Sequence, residues 1–186
     1  SLNAGSLWGR PFYILREAWN ILNAIAEGKI ESGDEKKLNA LKGETMAVIA
    51  LCQFDLTRCF GYPYTKDKGA SLGAPLIDHL VGTYENPPRS TVAQAYDFII
   101  ETLEEAVTLM SEEKNNGRMN KYAARALLAR IYLYHDDNRK AFDLADQLIK
   151  DADTSGSYAL YPHEKYVAAW SVEAKFGSES FFEIAN

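Results

Sequence analysis

The sequence predicts an all-α fold of tetratricopeptide-like helical hairpins, with long irregular loops and a short strand near the C-terminus. The main observation is that apolar residues recur at helical spacing in separate stretches of residues 11–150. In addition, the two helical stretches within residues 120–150 are joined by the short polar link 135–138, which makes them antiparallel neighbours. Alanines along both stretches, Ala129 and Ala141 among them, allow the two backbones to approach closely.

The first two helices are predicted at residues 11–26 and 35–60. Ser32 with Glu35 three residues later fits a capping box for the second helix. Gly43 lies inside this helix, where a glycine costs up to about 1 kcal/mol relative to alanine. We therefore expect another helix to pack closely against Gly43.

A third helix follows the capping-box pattern of Thr91 and Gln94, has the most regular apolar spacing in the chain and ends near Met110. The hairpin comes next. Asp137 or Asn138 is expected to cap its second helix by accepting from free backbone N–H groups. Because one hairpin cannot bury both of its apolar faces, we expect the other helices to pack against it.

Two parts of the chain lack a helical period. Residues 66–90 contain three glycines and three prolines, and a connection this long inside a compact domain is usually functional or mobile. Residues 158–170 are rich in aromatic side chains, and residues 181–184 are predicted as a strand without a visible partner strand. We therefore expect residues 1–186 to form a single helical domain that is part of a longer protein.

The composition excludes several classes of protein. Apolar residues make up 47% and charged residues 25%, which is typical of a globular chain. A net charge of −6 without a cluster of Lys or Arg argues against nucleic acid and anionic lipid as partners. No apolar run approaches the ~20 residues of a membrane-spanning helix. Cys52 and Cys59 are seven residues apart, about 10 Å along one helix, and are predicted to be two separate thiols.

The residue patterns do not predict catalysis, a cofactor or a metal site. His79, His135 and His163 are isolated in the sequence and are expected to be solvated rather than metal-bound. Glu101, Glu104 and Glu105 are the nearest match to the paired carboxylates of a glycosidase. They lie on the polar side of an amphipathic helix, so we interpret them as a solvated face and expect that the protein is not an enzyme.

Four stretches in order resemble the SusD/RagB family of surface glycan-binding lipoproteins. They are LKGE at residues 41–44 leading to FDLTRCFGYPY at 54–64, PRSTV at 88–92, GRMNKYAARALLARIYLY at 117–134, and SESFFEI at 178–184. Two positions depart from the family pattern, with Ile49 in place of an arginine and Thr102 in place of an acidic residue. Both positions are predicted to be structural.

This resemblance implies a function as well as a fold. Members of the family are lipid-anchored on the extracellular face of the outer membrane. There they capture oligosaccharide or polysaccharide and pass it to a SusC-like TonB-dependent transporter. By the same resemblance, the lipid-bearing cysteine lies upstream of Ser1, and ligand contacts come largely from loops before the first helix and after the hairpins.

Sugar binding requires aromatic faces for the apolar side of a pyranose, together with a few polar groups. Three groups of residues are candidates, one near the start, one on the long loop and one after the hairpin: Trp8 and Arg10; Tyr62, Tyr64 and Tyr84; Tyr161, Tyr166 and Trp170. For each group the alternative is ordinary packing against the helices. The corresponding alternative for the whole protein is a tetratricopeptide-type scaffold that binds a protein partner and has no glycan affinity of its own.

Overall fold

The computed structural model describes residues 4–30, 33–171 and 175–184. The helices are α1 (Ala4–Ala26), α2 (Glu35–Phe60), α3 (Val92–Leu109), α4 (Lys121–Tyr134), α5 (Asn138–Ser155) and the single-turn α6 (Tyr166–Ala169). Two strands, β1 (Leu72–Pro75) and β2 (Arg89–Thr91), and two 3₁₀ turns, Tyr64–Lys66 and His163–Lys165, complete the described structure. Helices dominate, so the predicted all-α class is confirmed.

Helix α1 begins earlier than residue 11, the start that we predicted. It runs from Ala4 through Pro11, so Trp8 and Arg10 lie on a helix and not in a preceding loop. Proline is favoured in the first turn of a helix, and for that reason the sequence pattern placed the start at this residue. The turns before Pro11 are held by packing, because the Trp8 ring lies 4.8 Å from the ring of Phe60, measured between centroids.

Helix α2 has the predicted bounds but a different cap. The side chain of Asp34 accepts hydrogen bonds from the backbone N–H groups of Lys36 and Lys37, at 3.0 and 3.3 Å. Asp34 is therefore the N-cap, and Glu35 is the first helical residue rather than the third. Ser32, which we predicted as the cap, lies outside the described residues.

The main core lies where α2 and α3 cross, and α4 packs against it. Its fully buried side chains include Phe54, Ile99 and Ile131. Gly43 lies at the closest approach of α2 to α3, as predicted, because a Cβ built there would be 2.7 Å from Met110 Cγ and 2.9 Å from Ala106 O. A second apolar cluster joins α1 to α2 and to the residues that follow β1.

The predicted hairpin is formed by α4 and α5. Asn120 caps α4 by accepting from the N–H of Ala123 at 3.0 Å, and Asp137 caps α5 by accepting from the N–H of Lys140 at 3.2 Å. Helix α5 continues to Ser155, beyond residue 150 where the predicted hairpin ended. It ends at Gly156, whose φ of +68° is in the left-handed region that glycine adopts at little cost.

The two segments without helical period were only partly predicted. Residues 66–90 are not irregular throughout, because β1 and β2 pair antiparallel with Leu72 opposite Thr91 and a bulge between the two ends. Residues 181–184 do not form the predicted strand and are irregular. The ring of Phe181 packs against Tyr158 at a centroid distance of 4.7 Å. Its ring also stacks on that of Tyr122 of α4 at 6.3 Å, so Phe181 packs against the helical frame without strand pairing.

Both cysteines are free thiols, as expected, with Cys52 buried and Cys59 exposed on the same helix. Within the part of the chain that the structure describes, none of the helices combines the length and apolarity needed to cross a membrane.

Candidate functional site

The β1–β2 loop, residues 76–88, is fixed at its root by side chains from two helices. Gln53 of α2 is completely buried. Its Nε2 donates to the carbonyl oxygen of Pro75 at 3.0 Å, and its Oε1 accepts from the N–H of Ile77 at 3.3 Å. From α1, Trp19 Nε1 donates to the carbonyl oxygen of Ile77 at 3.1 Å. The loop therefore leaves the helical frame in one defined direction.

Further along the loop, His79 is not isolated as its sequence surroundings had suggested. Its Nδ1 lies 2.6 Å from Asp78 Oδ1 and its Nε2 lies 2.7 Å from Glu85 Oε1. These hydrogen bonds, first to Asp78 and then to Glu85, raise the pKa of the imidazole. Tyr84 lies beside Glu85, and its side chain is 96% exposed. Tyr84 is thus presented to solvent with neither face covered by the helices.

The other two predicted tyrosines of this region have partners. The ammonium group of Lys66 lies 3.0 Å from the centroid of the Tyr62 ring, so one face of that ring is covered by a cation. Tyr64 is partly buried, with its ring 4.2 Å from the ring of His135 and 5.7 Å from that of Tyr96. His135 is therefore in an aromatic cluster and not solvated as we had expected.

On α1, Trp8 and Arg10 occupy an exposed part of the helix. The Trp8 ring contacts Phe12 at 5.0 Å and Phe60 at 4.8 Å, which brings the start of α1 to the end of α2. Tyr62 follows Phe60 by two residues. The first candidate group and the start of the second are therefore neighbours on the surface.

Tyr161 and Trp170 of the third candidate group line an open depression of about 410 Å³, which we call the C-terminal depression. Its walls are formed by Tyr161, Ala169, Trp170, Ser171, Gly177, Glu179, Ser180 and Glu183. Trp170 is 74% exposed, and the ring of Tyr166 lies 6.1 Å from it in an edge-to-face arrangement. None of the residues from α1 or from the β1–β2 loop belongs to this depression. The structure thus unites Tyr161, Tyr166 and Trp170 in one place and leaves the other two groups apart from them.

Hydrogen bonds hold one wall of the C-terminal depression against the other. The N–H of Tyr161 donates to Glu179 Oε1 at 2.5 Å, and the Tyr161 hydroxyl accepts from the N–H of Ser178 at 3.2 Å. A Cβ added to Gly177 would overlap that hydroxyl, so any larger residue would displace the Tyr161 side chain. The N–H of Phe176 donates to Glu183 Oε2 at 2.8 Å. These bonds fix both carboxylates at the edge of the depression.

Lys114 also contacts this wall of the C-terminal depression. Lys114 Nζ donates to the carbonyl oxygen of Gly177 at 2.7 Å and lies 4.7 Å from the centroid of the Tyr158 ring. Burial lowers the pKa of the Lys114 ammonium group, while the charge of Glu183 opposes that effect. The contact ties residues 175–184 to the segment before α4 across 63 residues of sequence.

Sequence reasoning missed the polar residues of these sites. Glu179 and Glu183 were read only as part of a family motif, and Gln53 was not considered, although a glutamine between apolar neighbours on a buried helix face was a signal. Two acidic residues of α3 have partners outside any glycosidase-like pair. Glu104 accepts from the Tyr132 hydroxyl, and Glu105 forms an ion pair with Lys42 at 3.0 Å. Among the described residues, no group of three His, Cys, Asp or Glu side chains could hold a metal ion.

The fold and these surfaces define a class: a frame of stacked helical hairpins that displays aromatic side chains on irregular segments. Residues 3–133 match the family model SusD-like_3, described as "Starch-binding associating with outer membrane". The chain therefore belongs to the SusD-like family, and the family is one associated with carbohydrate binding and with the outer membrane. None of the proteins with curated functions matches this sequence.

Solved structures agree with this assignment. A SusD superfamily protein from Bacteroides thetaiotaomicron VPI-5482 is 40% identical, with a TM-score of 0.89 over 95% of this chain and 38% of that one. A putative sugar binding protein from Bacteroides vulgatus ATCC 8482 is 38% identical, with a TM-score of 0.84 over 91% of this chain and 38% of that one. A laminarin binding SusD-like protein shares the fold at 22% identity, with a TM-score of 0.72 over 95% of this chain and 36% of that one. The chain thus spans less than half the length of these relatives.

Proposed function

We propose that this chain is part of a cell-surface protein that binds oligosaccharide or polysaccharide without chemical change, for import through a SusC-like TonB-dependent outer-membrane transporter. The observation that carries the proposal is the C-terminal depression, in which exposed aromatic rings lie beside fixed carboxylates. The family's description as starch-binding supports it. By the same family resemblance, the protein lies on the extracellular face, held by a lipid anchor outside residues 1–186.

The depression offers the two kinds of contact that sugars use. The exposed Trp170 ring provides a flat apolar surface for the C–H face of a pyranose, with Tyr166 at its edge. Glu179 and Glu183 each accept a backbone N–H through one oxygen. A carboxylate has two oxygens with several lone pairs, so each group can also accept a hydrogen bond from a sugar hydroxyl. Charge-assisted bonds of this kind fix the orientation of the stacked ring.

Glycan affinity is tested with the full-length protein that contains this chain, by affinity electrophoresis and calorimetry against a panel of glycans. We expect Trp170→Ala to weaken binding at least ~10-fold, since loss of about 1.4 kcal/mol from one aromatic contact has that effect. Tyr13→Ala is the matched control, because Tyr13 is also an exposed aromatic, on α1 and outside the depression. Equal affinity of the Trp170 variant and the parent for every bound glycan would show that the depression is not part of the glycan-binding site.

The same samples test the absence of chemistry. Two carboxylates in one depression are also the residue types that glycoside hydrolysis requires. We expect the bound glycan to be recovered intact, with no new reducing ends after prolonged incubation. Release of reducing ends that is lost in Glu179→Gln and Glu183→Gln would instead establish an enzyme.

The alternative function, a protein-interaction scaffold, is favoured by a different observation. Helix α1 exposes Leu7, Ile14 and Ile21 at seven-residue spacing, which places them in a row on one side of the helix. Co-purification with the transporter distinguishes the two functions. A protein that co-purifies with the transporter, and loses it on Ile14→Glu, but binds no glycan in the panel would be a scaffold alone.

A further inference from the structure

Both ring nitrogens of His79 face carboxylate oxygens. Nδ1 lies 2.6 Å from Oδ1 of Asp78, the preceding residue, and Nε2 lies 2.7 Å from Oε1 of Glu85, on the returning arm of the β1–β2 loop. These two carboxylates are the charged groups that face the imidazole. The helical side chains that hold the loop at its root, Gln53 and Trp19, are neutral.

This arrangement requires a particular protonation state. A neutral imidazole has one N–H, so it donates to one acceptor, and its other nitrogen presents a lone pair. A lone pair facing a carboxylate oxygen at such a distance is repulsive. Only the imidazolium donates to both carboxylates at once. Because Asp78 and His79 share one arm, the two arms are connected through the Nε2–Glu85 bond. The neutral ring keeps this bond only when its proton is on Nε2, and Nδ1 then faces Asp78 with a lone pair, whereas the protonated ring keeps both bonds.

The connection closes a small ring of backbone around Tyr84. Glu85 also accepts from the N–H of Gly82 through Oε2 at 3.0 Å, so its carboxylate holds both the turn and the histidine. The outgoing arm is fixed at Ile77 by the buried Gln53. Once His79 holds Glu85, the neighbouring Tyr84 side chain projects from a segment that is fixed on both sides.

We propose that His79 is a positioning residue whose protonated ring holds the two arms of the β1–β2 loop together, so that the placement of Tyr84 depends on pH. With the ring protonated, the loop is closed and Tyr84 is held in one orientation. With the ring neutral, the tautomer protonated on Nδ1 keeps the bond to Asp78 and loses the bond to Glu85, so the tip of the loop opens in that fraction of the molecules. The inference concerns the conformation of the loop and does not depend on glycan binding.

The sign of the pH dependence follows from the two carboxylates. They raise the pKa of His79 in the folded chain, so the closed loop is favoured below the unfolded pKa of histidine. The stabilisation is lost as the pH rises through the folded pKa. Since the unperturbed value is ~6.5 and the folded value is higher, the loss occurs above that pH.

Amide hydrogen exchange tests the inference without any ligand. Protection factors, which are corrected for intrinsic exchange, are measured for residues 79–86 at pH 5.5 and pH 8.5 in the parent and in His79→Gln. We expect the parent to lose protection several-fold at the higher pH, while the variant gives the same low protection at both. Equal protection of the parent at the two pH values, or an equal loss in the variant, would overturn the proposal.

A second measurement follows the ring itself. The His79 Cε1–H resonance is titrated by NMR in the parent, in Glu85→Gln and in Asp78→Asn. Each substitution keeps the size of the side chain and removes one negative charge, so each is expected to lower the pKa of His79. Circular dichroism confirms that the helical frame is unchanged. A pKa of His79 that is the same in the parent and in Glu85→Gln would show that the two arms are not connected through this ring.

Discussion

Replacing Gln53 with methionine tests how the helical frame holds the β1–β2 loop. The two side chains have nearly the same length, so the change removes the hydrogen bonds while it leaves little space unfilled. The substitution deletes the bond from Nε2 to Pro75 O at 3.0 Å and the bond from the Ile77 N–H to Oε1 at 3.3 Å. Both backbone groups then lose the partner that satisfied them.

The expected destabilisation can be worked out from burial. The Ile77 N–H lies in a buried environment, and an unsatisfied buried donor costs about 1–3 kcal/mol. The Pro75 carbonyl is only partly buried, so water can replace the amide and the loss is about 0.5 kcal/mol. Burial of the apolar methionine side chain in place of the amide offsets about 0.5–1 kcal/mol of this destabilisation. We therefore expect Gln53→Met to lower the free energy of unfolding by about 2 kcal/mol.

Equilibrium unfolding in urea measures this change. With a slope of ~2 kcal/mol/M, the midpoint should fall by about 1 M. Gln147→Met is the matched control, because Gln147 is exposed on α5, where its Nε2 donates to Asp151 at 2.8 Å, and such surface changes stay within ~0.5 kcal/mol. The reasoning is refuted if the two variants unfold at the same urea concentration.

Three further predictions concern one glycine on α2, one glycine on α1 and the two cysteines of α2. Gly43→Ala should destabilise by about 1 kcal/mol, since a Cβ 2.9 Å from Ala106 O forces α2 and α3 apart and outweighs the gain in helix propensity. Gly9→Ala, with nothing within 4 Å of the new Cβ, should stabilise by up to ~1 kcal/mol, and urea unfolding compares the two. Burial, with a smaller contribution from the charge of Asp55, raises the pKa of Cys52 to about 12. At pH 8 iodoacetamide should therefore modify the exposed Cys59 at least ~100-fold faster than the buried Cys52. Mass spectrometry of the native chain follows the two rates. Equal rates would contradict the burial of Cys52.

The helices could be predicted because their signals are local. Apolar spacing placed α2 at its observed bounds, and the polar link of the hairpin contains the observed cap, Asp137, which was predicted together with Asn138. The predicted start of α1 was wrong because a proline is typical of the first turn of a helix, whereas Pro11 lies inside a helix whose earlier turns are held by packing. The strands β1 and β2 are four and three residues long and contain a bulge, so they show too little alternation to detect.

The sites depend on contacts between residues that are far apart in the sequence. Gln53 bonds to Pro75 and Ile77, which follow it by 22 and 24 residues. Lys114 bonds to Gly177, which follows it by 63 residues. The predicted aromatic groups were chosen by residue type, which cannot separate a ring covered by helices, such as Tyr64, from one that is free, such as Tyr84. Residue type therefore identifies candidates, and burial ranks them.

The β1–β2 loop combines a root that does not titrate with a tip that does. At the root, the groups contributed by Gln53 and Trp19 are an amide and an indole, and neither changes charge near neutral pH. At the tip, His79 is a titrating group whose pKa is raised by Asp78 and Glu85. A change of pH should therefore move Tyr84 while the helices stay folded. Loss of Gln53 should weaken the whole frame at every pH. Because the two variants act on different parts of the molecule, their effects on unfolding and on local exchange separate the rigid role of the root from the adjustable role of the tip.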